Sequence, residues 1–130
     1  EAAGAVWAVD HVRDWGGGLD HPASSTLWLA KGRPAPGQHD THGGWTLGVW
    51  QHWWGHRAAK ATLLYIVGCE PLEVPRMVLR LDEPTHVVQS RMRIGSRPHI
   101  RKAEREQTPF EFAQWLCEIA IKSKARESCI

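Results

Sequence analysis

The sequence predicts an α/β domain, and three observations carry that reading. Apolar residues recur at helical spacing near the start, a continuous apolar run of strand length lies in the middle, and a capped amphipathic segment stands near the end. At 130 residues the chain has the length of one domain with a single core.

The first helix is expected from Ala2, Ala5, Val6, Val9 and Val12. It should stop at Gly16-Gly17-Gly18, because glycine readily takes the left-handed conformation that ends a helix. A short strand or turn is expected over Leu19 to Pro22. Residues 31–44, rich in Gly, Pro, His and Asp, read as a long loop. From Trp45 to Trp54, Trp45, Leu47 and Val49 alternate with Thr46 and Gly48, which suits a strand. Ala61 to Val67 reads as a buried strand, and the Gly55–Lys60 loop is short enough to make the two antiparallel neighbours. Glu70 to Pro75 should turn. Met77 to Asp82 and His86 to Met92 are candidates for further strands.

At Thr108-Pro109-Phe110-Glu111 a last helix is expected, with Thr108 as cap, Pro109 in the first helical position and Glu111 closing a capping box. Phe112, Trp115, Leu116 and Ile119 form its apolar stripe. Lys122, Lys124 and Arg126 lie towards its C-terminus, where cations favour the helix dipole. Two convincing helices for four or five strands would leave a sheet face uncovered, with Trp45, Trp50, Trp53 and Trp54 crowding one region. That arrangement favours a homodimer or a partner subunit.

Composition excludes some function classes. Apolar content of 42% and charged content of 23% suit a folded globular chain. No apolar run is long enough for a membrane span, and Glu1-Ala2-Ala3-Gly4-Ala5 has no signal-peptide pattern. The missing initial Met points to processing or excision from a longer chain. Cys69, Cys117 and Cys129 are odd in number and widely spaced, which points to a reducing, cytoplasmic setting rather than a disulfide framework. The net charge is only +2, so any case for nucleic acid must rest on local clustering.

The densest basic stretch is Arg91, Arg93, Arg97, His99, Arg101, Lys102 and Arg105, interrupted by Glu104. Guanidinium forks suit phosphates and guanine edges; a solvated surface is the plainer reading. His39-Asp40-Thr41-His42 and the His52–His56 segment are the other polar clusters. Four-residue spacing at the end of a strand does not converge on a metal, so no metal site is expected. Ser24 and Ser25 lack the Gly-x-Ser-x-Gly elbow. Neither a phosphate-binding glycine loop nor a dinucleotide fingerprint is present. The eight tryptophans can serve packing or the stacking of bases and ligands.

Three segments carry a family resemblance. They are Gly18-Leu19-Asp20-His21-Pro22; Gly55 to Thr62 with the strand Leu63 to Gly68; and Arg105 to Ala113, containing Thr108-Pro109-Phe110. In that order they resemble the C-terminal half of phage-type cytosine-C5 DNA methyltransferase-like domains. Gly44-Trp45-Thr46 and Trp54-Gly55-His56-Arg57 are similar to stretches of a phage-associated group.

The resemblance implies a partial Rossmann-like methyltransferase half, residues 1–130, with a mixed sheet, an antiparallel strand pair and two main flanking helices. It places Asp20 at the position of the family's cytosine-binding acid and leaves Arg57 and Lys60 as the basic residues of a DNA-contacting hairpin. The glycine-rich donor loop and the catalytic Pro-Cys pair that should precede Asp20 are missing, and no Pro-Cys dipeptide occurs anywhere. The implied role is therefore a mobile-element accessory chain that binds DNA or a partner. It would use S-adenosylmethionine only if a missing half supplied the donor site. The alternatives from other classes are an interaction protein with no nucleic-acid role and a small enzyme built on the His39–His42 loop.

Overall fold

The computed structural model describes residues 2–22, 32–77, 80, 82–86 and 100–123. Its elements are helix α1 (Ala2–Trp15), strands β1 (Gly17–Pro22), β2 (Gly44–Trp50) and β3 (Ala61–Val67), a short helix α2 (Lys102–Arg105) and helix α3 (Phe110–Lys122). Single 3-10 turns lie at Gln51–Trp54 and Pro71–Glu73.

The three strands form one sheet in the order β1-β3-β2, with both pairings antiparallel. The expected neighbours β2 and β3 are paired, Trp45 opposite Ile66 and Val49 opposite Thr62. The chain enters on one edge, crosses to the other and returns through the middle. The α/β class, the antiparallel pair and the two flanking helices agree with the sequence reading. A mixed sheet does not: every strand pairing among the described residues is antiparallel, and parallel contacts occur only as the isolated bridges Pro36–Thr46 and Ala58–His86.

β3 explains why its sequence is apolar without alternation. As the central strand it is covered on both faces, so successive side chains from Leu64 to Val67 are all buried. Leu64 and Ile66 point to a core shared with Trp45, Val49 and Trp54 and with Phe112, Trp115 and Ile119 of α3. Tyr65 and Val67 point the other way, to Val9 and Val12 of α1. The uncovered sheet face expected from the helix count is therefore not found, because α1 packs on one face and α3 on the other.

α1 ends where predicted. Gly16 takes φ 82° and its N–H donates to the Val12 carbonyl at 2.8 Å. α3 buries Phe112, Trp115 and Ile119 at i, i+3 and i+7. Trp54 sits against this stripe, its ring centroid 4.9 Å from Phe112 and 4.8 Å from Trp115. Two buried indoles also hold the segment after β3: Trp45 Nε1 donates to the Cys69 carbonyl at 2.8 Å, and Trp115 Nε1 to the Pro75 carbonyl at 3.0 Å.

Two local expectations are corrected, and two fall partly or almost wholly outside the described residues. β2 stops at Trp50, and the next four residues turn as a 3-10 helix ending at Gly55, whose φ of 103° admits glycine. That turn tucks Trp54 into the core, which a continued strand could not do. Pro109 rather than Thr108 is the residue before α3, and no side chain caps that end. Met77 lies outside any strand, while residues 78, 79 and 81 fall outside the described residues. His86 forms an isolated bridge to Ala58, and the rest of the candidate strand, residues 87–92, lies outside the described residues.

The 32–43 loop runs along the outer edge of β2. Gly37 N–H donates to the Thr46 carbonyl at 2.9 Å and Asp40 N–H to the Gly44 carbonyl at 2.8 Å. This edge is thereby blunted against strand addition.

Candidate nucleic-acid interface

Four of the seven predicted DNA-contacting residues lie within the described residues: Arg57, Lys60, Arg101 and Lys102. Arg91, Arg93 and Arg97 lie outside them, as do Ser24, Ser25 and His99. Arg57 and Lys60 stand on the connector between β2 and β3, more than 40 residues before Arg101 and Lys102 at the start of α2. The fold brings the two segments together.

The attachment has identifiable parts. Ala58 N–H donates to His56 Nδ1 at 3.0 Å, so that nitrogen is the acceptor. The ring proton is then on Nε2, which donates to the Glu104 carbonyl at 3.2 Å. Burial holds the imidazole below its ordinary value, helped by the nearby Lys60 charge. His56 is thus a neutral, buried tether for α2.

Arg57 forms a two-toothed ion pair with Glu104, through Nε and an outer nitrogen. This pair keeps the Glu104 carboxyl low and the guanidinium high. The loop 82–86 joins the same region: His86 N–H donates to the Arg57 carbonyl at 3.0 Å, and Ala59 N–H to the His86 carbonyl at 3.2 Å.

Between these pieces lies an open cavity of about 440 Å³, lined by Arg57, His86, Ile100, Arg101 and Glu104. Ile100 is the buried floor. Arg101 and Lys102 are exposed. Lys60 differs in kind. It is half-buried, its Nζ reaches the Gln107 carbonyl at 3.4 Å, and burial lowers it against the pull of Asp20 and Glu106. The four cations therefore divide into two engaged in holding α2 and two facing solvent.

The family position of the cytosine-binding acid would put Asp20 at the C-terminal end of a strand, facing a cleft. It is instead the fourth of six residues in β1, opposite Leu64, and exposed. It borders a crevice of only about 60 Å³ whose other walls are Gly18, Leu64, Ile66, Leu116, Ile119 and Ala120. Those walls carry no polar side chain besides the carboxylate itself.

A second polar constellation escaped sequence reasoning. On the α1 face, the buried Tyr65 hydroxyl donates to Asp40 Oδ2, and Arg13 Nε donates to the same hydroxyl at 3.1 Å. Asp40 Oδ1 accepts the N–H groups of His42 and Gly44, both at 2.9 Å. These bonds and Arg13 hold Asp40 low despite burial. Burial and the Asp40 charge push Tyr65 up to about 12. The available signal was Asp40 inside the His39–His42 cluster. Its partner was hidden within an apolar strand, where a tyrosine reads as bulk. The network fixes the loop and leaves no ionisable group near neutrality.

The remaining candidates are placed as follows. His52 is buried in the 3-10 turn, with Nδ1 3.1 Å from the His56 carbonyl and Nε2 2.9 Å from the Asp82 carbonyl. His39 and His42 are exposed in the loop. Among the described residues, no three His, Cys, Asp or Glu side chains are grouped to hold a metal ion. Cys69 is buried and its thiol raised by that burial, which keeps it in the unreactive form. No described helix is long and apolar enough to cross a membrane. Comparison with protein-family models, curated proteins and solved structures finds no match to this chain.

Proposed function

We propose that this chain is a DNA-methyltransferase-like accessory protein that contacts nucleic-acid backbone without transferring methyl groups by itself. The observation supporting the reading is the exposed pair Arg101 and Lys102, with Arg101 on an open cavity that Arg57, His86 and Ile100 also line. Guanidinium and ammonium groups presented together are what phosphate recognition uses, and the basic stretch runs on through Arg91, Arg93 and Arg97.

The methyltransferase-like part of the proposal rests on the three sequence segments. The antiparallel strand order adds nothing to it, because the Rossmann-like arrangement uses parallel strands. Methyl transfer would need a donor site for S-adenosylmethionine and a nucleophile, for neither of which the sequence has a motif. No incorporation of labelled methyl groups into DNA by this chain alone is expected.

Association with a second copy stays part of the proposal on altered grounds. The sheet faces are covered, and exposed apolar side chains among the described residues include Trp7 (67%) and Trp15 (66%) on α1 and Phe110 (79%) and Ile121 (84%) on α3.

The decisive experiment is fluorescence anisotropy with a labelled oligonucleotide over a salt series. Affinity falling steeply as salt rises supports the reading, since phosphate contacts release counterions. Salt-independent binding, or none at low salt, defeats it.

A further inference from the structure

A second cavity, of about 320 Å³, has a different lining, and its wall residue Ala59 donates its N–H to the carbonyl of His86, which lines the first cavity. The walls of the second cavity include Trp50 and Trp53, the buried His52, and the charged side chains of Arg80, Asp82 and Glu83. That volume falls in the range of small-molecule sites. Trp50 is 45% exposed, whereas Trp54, Phe112 and Trp115 are buried together in the core.

The chemistry of the rim narrows the occupant. Two indoles offer flat apolar surface suited to a planar heterocycle. Asp82 and Glu83 carry acceptors only, while Arg80 carries donors only. Arg80 Nε stands 3.4 Å from Asp82 Oδ1, so the opposite charges sit side by side. The carboxylates of Asp82 and Glu83 repel a phosphate, which leaves it to the exposed Arg101 and Lys102. Guanine alone among the common bases presents adjacent acceptors, O6 and N7, for an arginine and adjacent donors, N1–H and the N2 amino group, for a carboxylate. In a duplex the N1 edge is consumed by pairing.

We propose that the Trp50–Trp53 cavity binds an unpaired guanine base of a single-stranded nucleic acid whose backbone lies on the basic rim. This rests on the reading above for the backbone and adds the base class and the strand state. Guanine stacks on the indole surface, its donor edge meets Glu83 and Asp82, and its acceptor edge meets Arg80.

The test has two arms that fail separately. In the first, guanosine, adenosine and choline are titrated at millimolar concentration into the protein with nitrogen-15-labelled indoles. Movement of the Trp50 and Trp53 Nε1 resonances with guanosine, and much less with adenosine, is expected. No movement with guanosine, equal movement with adenosine, or a stronger response to choline would overturn the proposal whatever the basic rim does.

In the second arm, anisotropy compares a guanine-containing single strand with the same strand made abasic at its guanines, using wild type and Trp50→Ala. The guanine strand should bind roughly tenfold more tightly, and Trp50→Ala should erase that advantage while leaving the abasic strand unchanged. Equal affinities for the two strands, with salt-dependent binding intact, would refute the guanine site and spare the backbone reading. Loss of all binding to both strands in wild type would refute the backbone reading, leaving the nucleoside titration to judge the cavity.

Discussion

His56 Nε2 donates to the Glu104 carbonyl across a separation of 48 residues, while its other ring nitrogen accepts from Ala58. One neutral imidazole therefore joins the β2–β3 connector to the helix that carries the exposed cations. The folded state holds this ring below its ordinary value, chiefly through burial and then the Lys60 charge. The folded protein thus binds fewer protons here than the unfolded chain does. The resulting stability is full above the unfolded imidazole value of about 6.5 and is lost as pH falls below it. Protonating Nδ1 also turns an acceptor into a donor facing the Ala58 N–H. Melting temperatures followed by circular dichroism should drop between about pH 7.5 and about pH 5. His56→Gln should be less stable at neutral pH and show a shallower drop. An identical pH slope in that variant would remove His56 as the cause.

Gly44 is a position where a single methyl group carries a large foreseeable cost. A Cβ there would overlap the Tyr65 phenol ring and its hydroxyl. Tyr65 cannot step aside cheaply, because Asp40 and Arg13 hold that hydroxyl and the ring is fully buried. Gly44→Ala should lower stability by about 3 kcal/mol. The neighbouring Gly48→Ala, whose Cβ would meet only a Leu63 methyl at 3.8 Å, should cost far less. Urea unfolding midpoints of the two variants decide the matter, and equal midpoints would contradict it.

Arg101 and Lys102 are exposed, so their removal should leave folding intact. Each should lower nucleic-acid affinity about uniformly across sequences and reduce the salt slope by about one for every phosphate that is no longer neutralised. Arg57→Ala should differ by also weakening the α2 attachment, because the Glu104 ion pair goes with it. Anisotropy together with thermal melts separates the two kinds of effect.

Light scattering at micromolar concentration should give a mass above the 14.7 kDa of one chain. Replacing the exposed Trp7 and Trp15 by lysine should return it to the single-chain value, since charge on an apolar interface opposes association. A mass of one chain for the wild type would dismiss the second copy as partner.

Much of the fold was legible because it rests on local pattern. The Val9 and Val12 spacing, the Gly16 stop, the apolar run of β3 and the Phe112–Trp115–Ile119 stripe each declare an element within a few residues, and side-chain periodicity is a local property. The charge content, the lack of a long apolar run and the density of cations around residue 101 were likewise properties of the sequence alone.

Tertiary structure decided the rest. Only the two packed clusters on opposite sides of β3 show that both faces of the sheet are covered, because a helix count does not say on which side each helix packs. Only the turn at Gln51–Trp54 separates the buried Trp54 from the accessible Trp50 and Trp53, although the three stand within five positions of one another. Asp40 with Tyr65, and Arg57 with Glu104, are separated by 25 and 47 residues. Such pairs arise from packing, whose free energy depends on which surfaces meet in space, and no local spacing in the sequence encodes that meeting.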